Sequence, residues 1–224
     1  MTTPLFPIVV FDLDGTLAET APDLIDALNA TLASEGCAKT RLEDARELVG
    51  AGMRALIERA LVKQGKSVSD QHLDELFKAF FTHYEKNLCV KTTLYPGVRD
   101  ALETLKEKNY ILAVCTNKPE YLSVMLLEKL GIGSLFSAIC GRDTFSFCKP
   151  DPRHLWATIE KAGGDKNHAV MVGDSQTDIN TAHNAYLPVI AFPFGYSEKP
   201  VETFNPTRII QNYKDLVVTV EELI

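Results

Sequence analysis

Long hydrophobic runs are missing from this chain: no stretch of its 224 residues approaches the ~20 apolar residues of a membrane span. Positive charge is also in short supply. The net charge is −7, which argues against nucleic acid as the main partner, because phosphate backbones require a basic surface. Cysteine pairing motifs are absent. Cys37, Cys89, Cys115, Cys140 and Cys148 are odd in number, include no C-x-x-C, and follow no recognisable secretory leader. A reducing cytoplasm is the expected compartment, and Cys115 and Cys140, at the ends of apolar runs, read as small buried hydrophobes. Nor is there an internal repeat or a low-complexity tract. The five histidines, His72, His83, His154, His168 and His183, are scattered without metal-ligand spacing, so surface or helix-terminus positions are expected of them.

What the chain does have is apolar material for a core, 46% of residues against 24% charged. It has the length of one to two domains at roughly 150 residues each. Short apolar runs recur, each followed by distinctive residues: "FPIVVF" before Asp12, "YILAVC" before Thr116, "SAIC" before Gly141, "AVMVG" before Asp174, and "LPVIAF" before Pro193. Continuous rather than alternating hydrophobicity marks strands covered on both faces. Helical patterns lie between them. One places Val98, Leu102 and Leu105 on a single face, and another runs from Pro119 to a stop at Gly131. A third, "DPRHLWATIEKAGG", ends in a double glycine. The alternation predicts an α/β fold, a Rossmann-like parallel sheet with helices on both faces.

From about Ala21 to Val90 the rhythm stops, and four helical patterns follow without a convincing strand. The α/β pattern resumes at "LYPGV". The expected organisation is a catalytic core of residues 1–17 and 92–224 with an all-helical insertion at 18–91. Within the insertion, Phe77, Phe80, Phe81 and Tyr84 form an aromatic stripe that reads as its own core.

Ligands of open α/β sheets bind outside the carboxyl ends of the strands. There the sequence places Asp12, Asp14, Gly15 and Thr16 after the first strand, and Thr116, Asn117 and Lys118 after the second. Lys149, before a helix start at "PDP", follows the third, and Gly173, Asp174, Ser175 and Asp178 the fourth. Any one of these groups alone is an ordinary turn or helix cap; their joint occurrence, in order, is what argues for a site. Clustered carboxylates call for a hard cation such as magnesium. Lysine, amides and a threonine hydroxyl converging on one place suit a phosphoryl group. A metal, an anion pocket and a carboxylate nucleophile together describe phosphoryl transfer through an aspartyl phosphate.

The series D-x-D-G-T, T-N, K-P and G-D-x-x-x-D resembles the haloacid dehalogenase superfamily across the whole core. "FDLDGTLAETAPDL", "LVGAGMRALIERAL", "LYPGV" and "FGYSEKP" are similar to its phosphoglycolate phosphatase branch. The resemblance implies Asp12 as nucleophile and Asp14 as general acid/base, with Thr116 and Lys149 holding the phosphoryl group. It implies magnesium on Asp12, Asp174 and the Asp14 main-chain carbonyl, with Asp178 orienting Lys149 or the metal shell. The helical insertion would be a mobile cap, and Asp14 favours a phosphatase over a dehalogenase. The chain departs from the pattern at Glu19-Thr20, where an Asp-Ser pair is usual. It departs again at Tyr186, where a glycine is usual; if that position has φ > 0, Tyr186 is strained.

Substrate choice is expected from the insertion. "VGAGMRAL" offers Gly50, Gly52 and Arg54, helix-start amides and a guanidinium suited to a small carboxylate. Its match to a dinucleotide fingerprint lacks the required strand–turn–helix context. The reading is therefore a magnesium-dependent phosphatase for 2-phosphoglycolate. A sugar-phosphate phosphatase, a nucleotidase, a pyrophosphatase or a phosphosugar mutase of the same fold is the alternative, and an inactive binding protein is the alternative outside enzymes. The expected partner is a small phosphate ester, with neither nucleic acid nor membrane, for a monomer or homodimer.

Overall fold

The computed structural model describes residues 6–43 and 52–224. The chain divides into two compact units, Met1–Ala18 with Leu94–Ile224, and Glu19–Thr93. It crosses between them at two short strands, β2 (Ala18–Glu19) and β3 (Thr93–Leu94).

The first unit is built on a six-stranded sheet. Its strands are β1 (Phe6–Phe11), β4 (Ile111–Cys115), β5 (Ala138–Cys140), β6 (Gly164–Gly173), β7 (Val189–Ala191) and β8 (Arg208–Ile209). Their order is β5-β4-β1-β6-β7-β8, and every pairing is parallel. The parallel register sets Phe11 level with Val114 on one side and Val172 on the other, so the carboxyl ends of three neighbouring strands finish together. Ile8 through Phe11 are fully buried, which is why the run is apolar throughout rather than alternating.

Ile8, Val10, Ala113, Cys115, Cys140 and Met171 pack with Leu155 and Ile159 of α6 (Pro152–Ala162) and with Ile179 and Ala182 of α7 (Gln176–Asn184). Helix α4 (Val98–Glu107) packs on β4, and α8 (Leu216–Leu223) packs on α4. The α4 face expected from the sequence, Val98, Leu102 and Leu105, is wholly buried. Helix α5 (Glu120–Lys129) starts after Pro119 and ends before Gly131, whose φ is 70°. The Tyr95 N–H donates to the Leu17 carbonyl at 3.2 Å, joining the two places where the first unit is interrupted. Cys115 and Cys140 are register partners, both buried. Burial pushes the Cys115 thiol up to about 12, as an inert core thiol requires.

The second unit is helical: α1 (Ala21–Leu32), α2 (Met53–Lys63) and α3 (Asp70–Lys86). The remaining helical pattern expected there, "LEDARELVG", lies mostly outside the described residues. Ser69 caps α3 by accepting the His72 N–H. Leu73, Leu76, Phe80 and Tyr84 form the buried face of α3, with Phe77 against Phe81 at 5.9 Å between ring centroids. Asp23, buried in the first turn of α1, accepts hydrogen bonds from the N–H groups of Val90, Lys91 and Thr92 and from the Thr92 hydroxyl. The start and end of the inserted segment are thereby tied together. Among the described residues, no helix is long and apolar enough to cross a membrane.

A candidate active site at the carboxyl end of the sheet

Asp12 follows β1 directly and continues its ladder, its N–H donating to Val172 O at 2.9 Å. Thr116 does the same after β4 by donating to Cys140 O. Asp174 follows β6, and Asp178 lies one helical turn later on α7. Acidic oxygens of Asp12, Asp174 and Asp178 all lie within 4.8 Å of one another, and all three residues are buried. The sheet topology therefore brings together carboxylates that stand more than 160 residues apart in the chain.

Lys149 enters this cluster from the loop after β5. Its Nζ is 2.6 Å from Asp178 Oδ1 and 2.8 Å from Asp12 Oδ1. The second contact is a close ion pair. Burial alone would lower the Lys149 ammonium, but Asp12 and Asp178 outweigh it and keep it protonated. Burial pushes Asp12 up to about 6, against the opposing pull of Lys149. Asp174 is raised well above the carboxylate range by burial first, then by Asp178 and Asp12.

The oxygens differ in how fully they are used. Asp178 is saturated: Oδ1 takes Lys149, while Oδ2 takes the Ser175 N–H, the Ser175 hydroxyl and the Asp174 N–H. Ser175 and Asp178 also form a reciprocal cap at the start of α7. Asp174 has one donor on each oxygen, the Thr16 hydroxyl at 2.6 Å and the Tyr196 N–H at 2.7 Å. Asp12 and Asp174 thus retain lone pairs. Three buried carboxylates facing one ammonium leave an excess of negative charge. The donor set fits a hard divalent cation such as magnesium.

Three glycines make this crowding possible. A Cβ on Gly15, whose φ is 86°, would lie 2.5 Å from Asp174 Oδ2; one on Gly195 would lie 2.1 Å from the same atom. On Gly173 it would lie 2.3 Å from the Asp178 Cβ. Gly15 was legible in its motif, whereas Gly195 and Tyr196 carry no local signal for contact with Asp174.

Asp14, 22% exposed at its side chain, pairs through both oxygens with the buried Lys118 at 3.0 and 3.2 Å. Asn117 donates its side-chain amide to the Lys149 carbonyl at 3.0 Å. Thr16, read from the sequence as a phosphate contact, spends its hydroxyl on Asp174 and its carbonyl on the Tyr213 hydroxyl. His154 lies in the first turn of α6, one of the two kinds of position expected of it, but fully buried, and its Nδ1 accepts the Lys149 N–H.

In the second unit, Gly50 lies outside the described residues. Gly52 precedes α2 with φ 91° and ψ 158°, a backbone that only glycine adopts readily, and a Cβ there would meet no atom. Arg54 pairs with Asp74 at 3.1 Å and Asp70 at 3.5 Å, and is 43% exposed.

Comparison with known proteins agrees with this geometry. A family model described as haloacid dehalogenase-like hydrolase matches residues 9–192. The chain is 48% identical over 216 residues to a phosphoglycolate phosphatase of Mesorhizobium japonicum, across 96% of this chain and 95% of that one. It is 45% identical over 213 residues to a phosphoglycolate phosphatase of Agrobacterium fabrum, across 95% and 91% of the two chains. The crystal structure of a predicted phosphoglycolate phosphatase from Haemophilus somnus matches with a TM-score of 0.89 at 31% identity, over 97% of this chain and 99% of that one.

Proposed function

The chain belongs to the haloacid dehalogenase-like hydrolases, and from that premise we propose that it hydrolyses 2-phosphoglycolate to glycolate and phosphate through a phosphoenzyme on Asp12. The chemistry is phosphoric monoester hydrolysis, in line with the phosphatase names of its full-length relatives. The observation that carries it is the buried Asp12–Lys149–Asp174 cluster at the end of β1, a carboxylate and an ammonium held beside further acidic ligands.

In this reading the Asp12 carboxylate attacks phosphorus while the bond from phosphorus to the glycolate oxygen breaks. Asp14, two residues on and partly exposed, gives that oxygen its proton. Asp14 then takes a proton from the water that attacks the phosphoenzyme, freeing phosphate and restoring Asp12. Lys149 and Thr116 neutralise and orient the phosphoryl oxygens. Asp178 acts through Lys149, whose ammonium it holds toward Asp12. Asp12, Asp174 and the Asp14 carbonyl are the groups proposed to hold magnesium. When bound, that ion supplies charge neutralisation between the nucleophile and the phosphoryl group.

We assign the helical unit the role of a cap that shields the phosphoenzyme from bulk solvent. Gly50, Gly52 and Arg54 are its proposed contact with the glycolate carboxylate. Arg54 would take that group by exchanging Asp74 for the substrate.

The test is initial-rate phosphate release from 2-phosphoglycolate, sugar phosphates, mononucleotides and pyrophosphate, with magnesium and with chelator. A preference for 2-phosphoglycolate that chelation abolishes is expected. Metal-dependent release favouring another compound would overturn the substrate, and retained phosphoenzyme formation in Asp12→Ala would overturn the nucleophile.

A further inference from the structure

We infer that His154 is a positioning residue for this reaction: its imidazole Nδ1 holds the Lys149 main chain and so fixes where the Lys149 ammonium stands between Asp12 and Asp178. The inference rests on the phosphatase reading above. Lys149 belongs to neither a helix nor a strand, so no regular ladder places its backbone. Two side chains do so instead. His154 Nδ1 accepts the Lys149 N–H at 3.2 Å, and Asn117 Nδ2 donates to the Lys149 carbonyl at 3.0 Å. The peptide is held on both sides, and the lysine side chain extends from it to two carboxylates within 2.8 Å.

The ring is built for accepting. It is fully buried in the first turn of α6, edge-on to Phe145 at 5.9 Å between centroids. Burial, then the Lys149 charge, pushes it down to about 4, so it is neutral at physiological pH. An accepting Nδ1 in a neutral ring puts the proton on Nε2, which is buried, and the Gly141 backbone also faces the ring as an acceptor. A residue present only to fill space would not carry that buried polar nitrogen. The acceptor at Nδ1 is the feature that an apolar side chain cannot replace.

The experiment compares His154→Asn with His154→Leu in the full-length enzyme under saturating magnesium. Asparagine keeps an acceptor oxygen at about the reach of Nδ1, and leucine does not. The leucine variant is expected to lose kcat on the order of tenfold to a hundredfold with little change in KM, the scale of a small misplacement of a catalytic group. Asparagine should restore most of the loss. A leucine variant with wild-type kcat, or leucine and asparagine variants equally impaired while melting normally, would overturn the assignment. Should a variant fail to fold, the nitrogen resonances of His154 in the wild-type protein decide. The Nε2–H tautomer is expected, and an Nδ1–H tautomer refutes the bond to Lys149. Wild-type protein that releases no phosphate would sink the phosphatase reading separately, and the tautomer would still be readable.

Discussion

A carboxylate attacks phosphorus only when ionised, and Asp12 sits where that state is contested. Burial raises it from 3.8 to about 6, while Lys149 acts to lower it. Between about pH 4 and 6 the folded, metal-free protein therefore keeps a proton that the unfolded chain has lost. The stability from this group is full below about pH 4 and is lost as pH rises through 6. A divalent cation held by Asp12, as proposed above, would replace that proton. Magnesium should thus raise the melting temperature more at pH 7 than at pH 5, as read by calorimetry against a chelated control; an equal shift at both would remove Asp12 from the metal site. Tyr186 is a second test at this scale. It follows α7 with φ 58° and is 91% exposed, so it holds a left-handed backbone with no packing in return. Tyr186→Gly should stabilise the protein by about 0.5–1 kcal/mol, the relief of backbone strain less the entropy that glycine adds to the unfolded chain. A lower midpoint in urea would contradict this. Asp12 and Asp174 were legible because each closes an apolar run, and Lys149 because it stands just before the helix start at "PDP". The contacts of His154, Thr16 and Gly195 were not, because each partner lies far away in sequence or is a backbone group that leaves no pattern.

At the scale of elements, strands β1 and β4 match their apolar runs, and β6 does not. It begins at Gly164, although its apolar stretch begins at Ala169. Asp165 to His168 are polar, with Lys166, Asn167 and His168 exposed, and the pairing with β1 is irregular between Phe6 and Ile8, so hydropathy marks only the regular part of the ladder. Strand β8, two residues long, is too short for any period to register. The Asp23 tie was also invisible, since an aspartate in a first helical turn reads as a favourable charge near the helix dipole. In the fold it instead serves the backbone of Val90, Lys91 and Thr92. Asp23→Ala would leave those donors and the Thr92 hydroxyl unsatisfied. It should cost on the order of 3 kcal/mol, measured as a lower urea midpoint, with faster amide exchange at residues 90–92 as the local signature. Unchanged exchange there would mean that other groups close the segment.

For the whole molecule, the order β5-β4-β1-β6-β7-β8 decides which residues can meet. A sequence with five strand-like runs indicates an α/β sheet, but not that β1 lies between β4 and β6. The order of the motifs along the chain does not give that placement. The hydrogen bond from Tyr95 to Leu17 carries a further consequence. The sheet unit holds the two ends of its 75-residue interruption side by side, so the length of chain between them adds little to the cost of closure, which grows only with the logarithm of loop length. This makes the insertion point a socket: the helical unit can be exchanged for another, or reduced to a short turn, without rebuilding the sheet. A chain with residues 19–93 replaced by a brief glycine–serine turn should still fold, bind magnesium and cleave an activated aryl phosphate slowly, while losing discrimination among natural esters. Failure of that shortened chain to fold would show that the two units depend on each other for stability. Success would mean that new substrates can be acquired by trading one unit and leaving the chemistry alone.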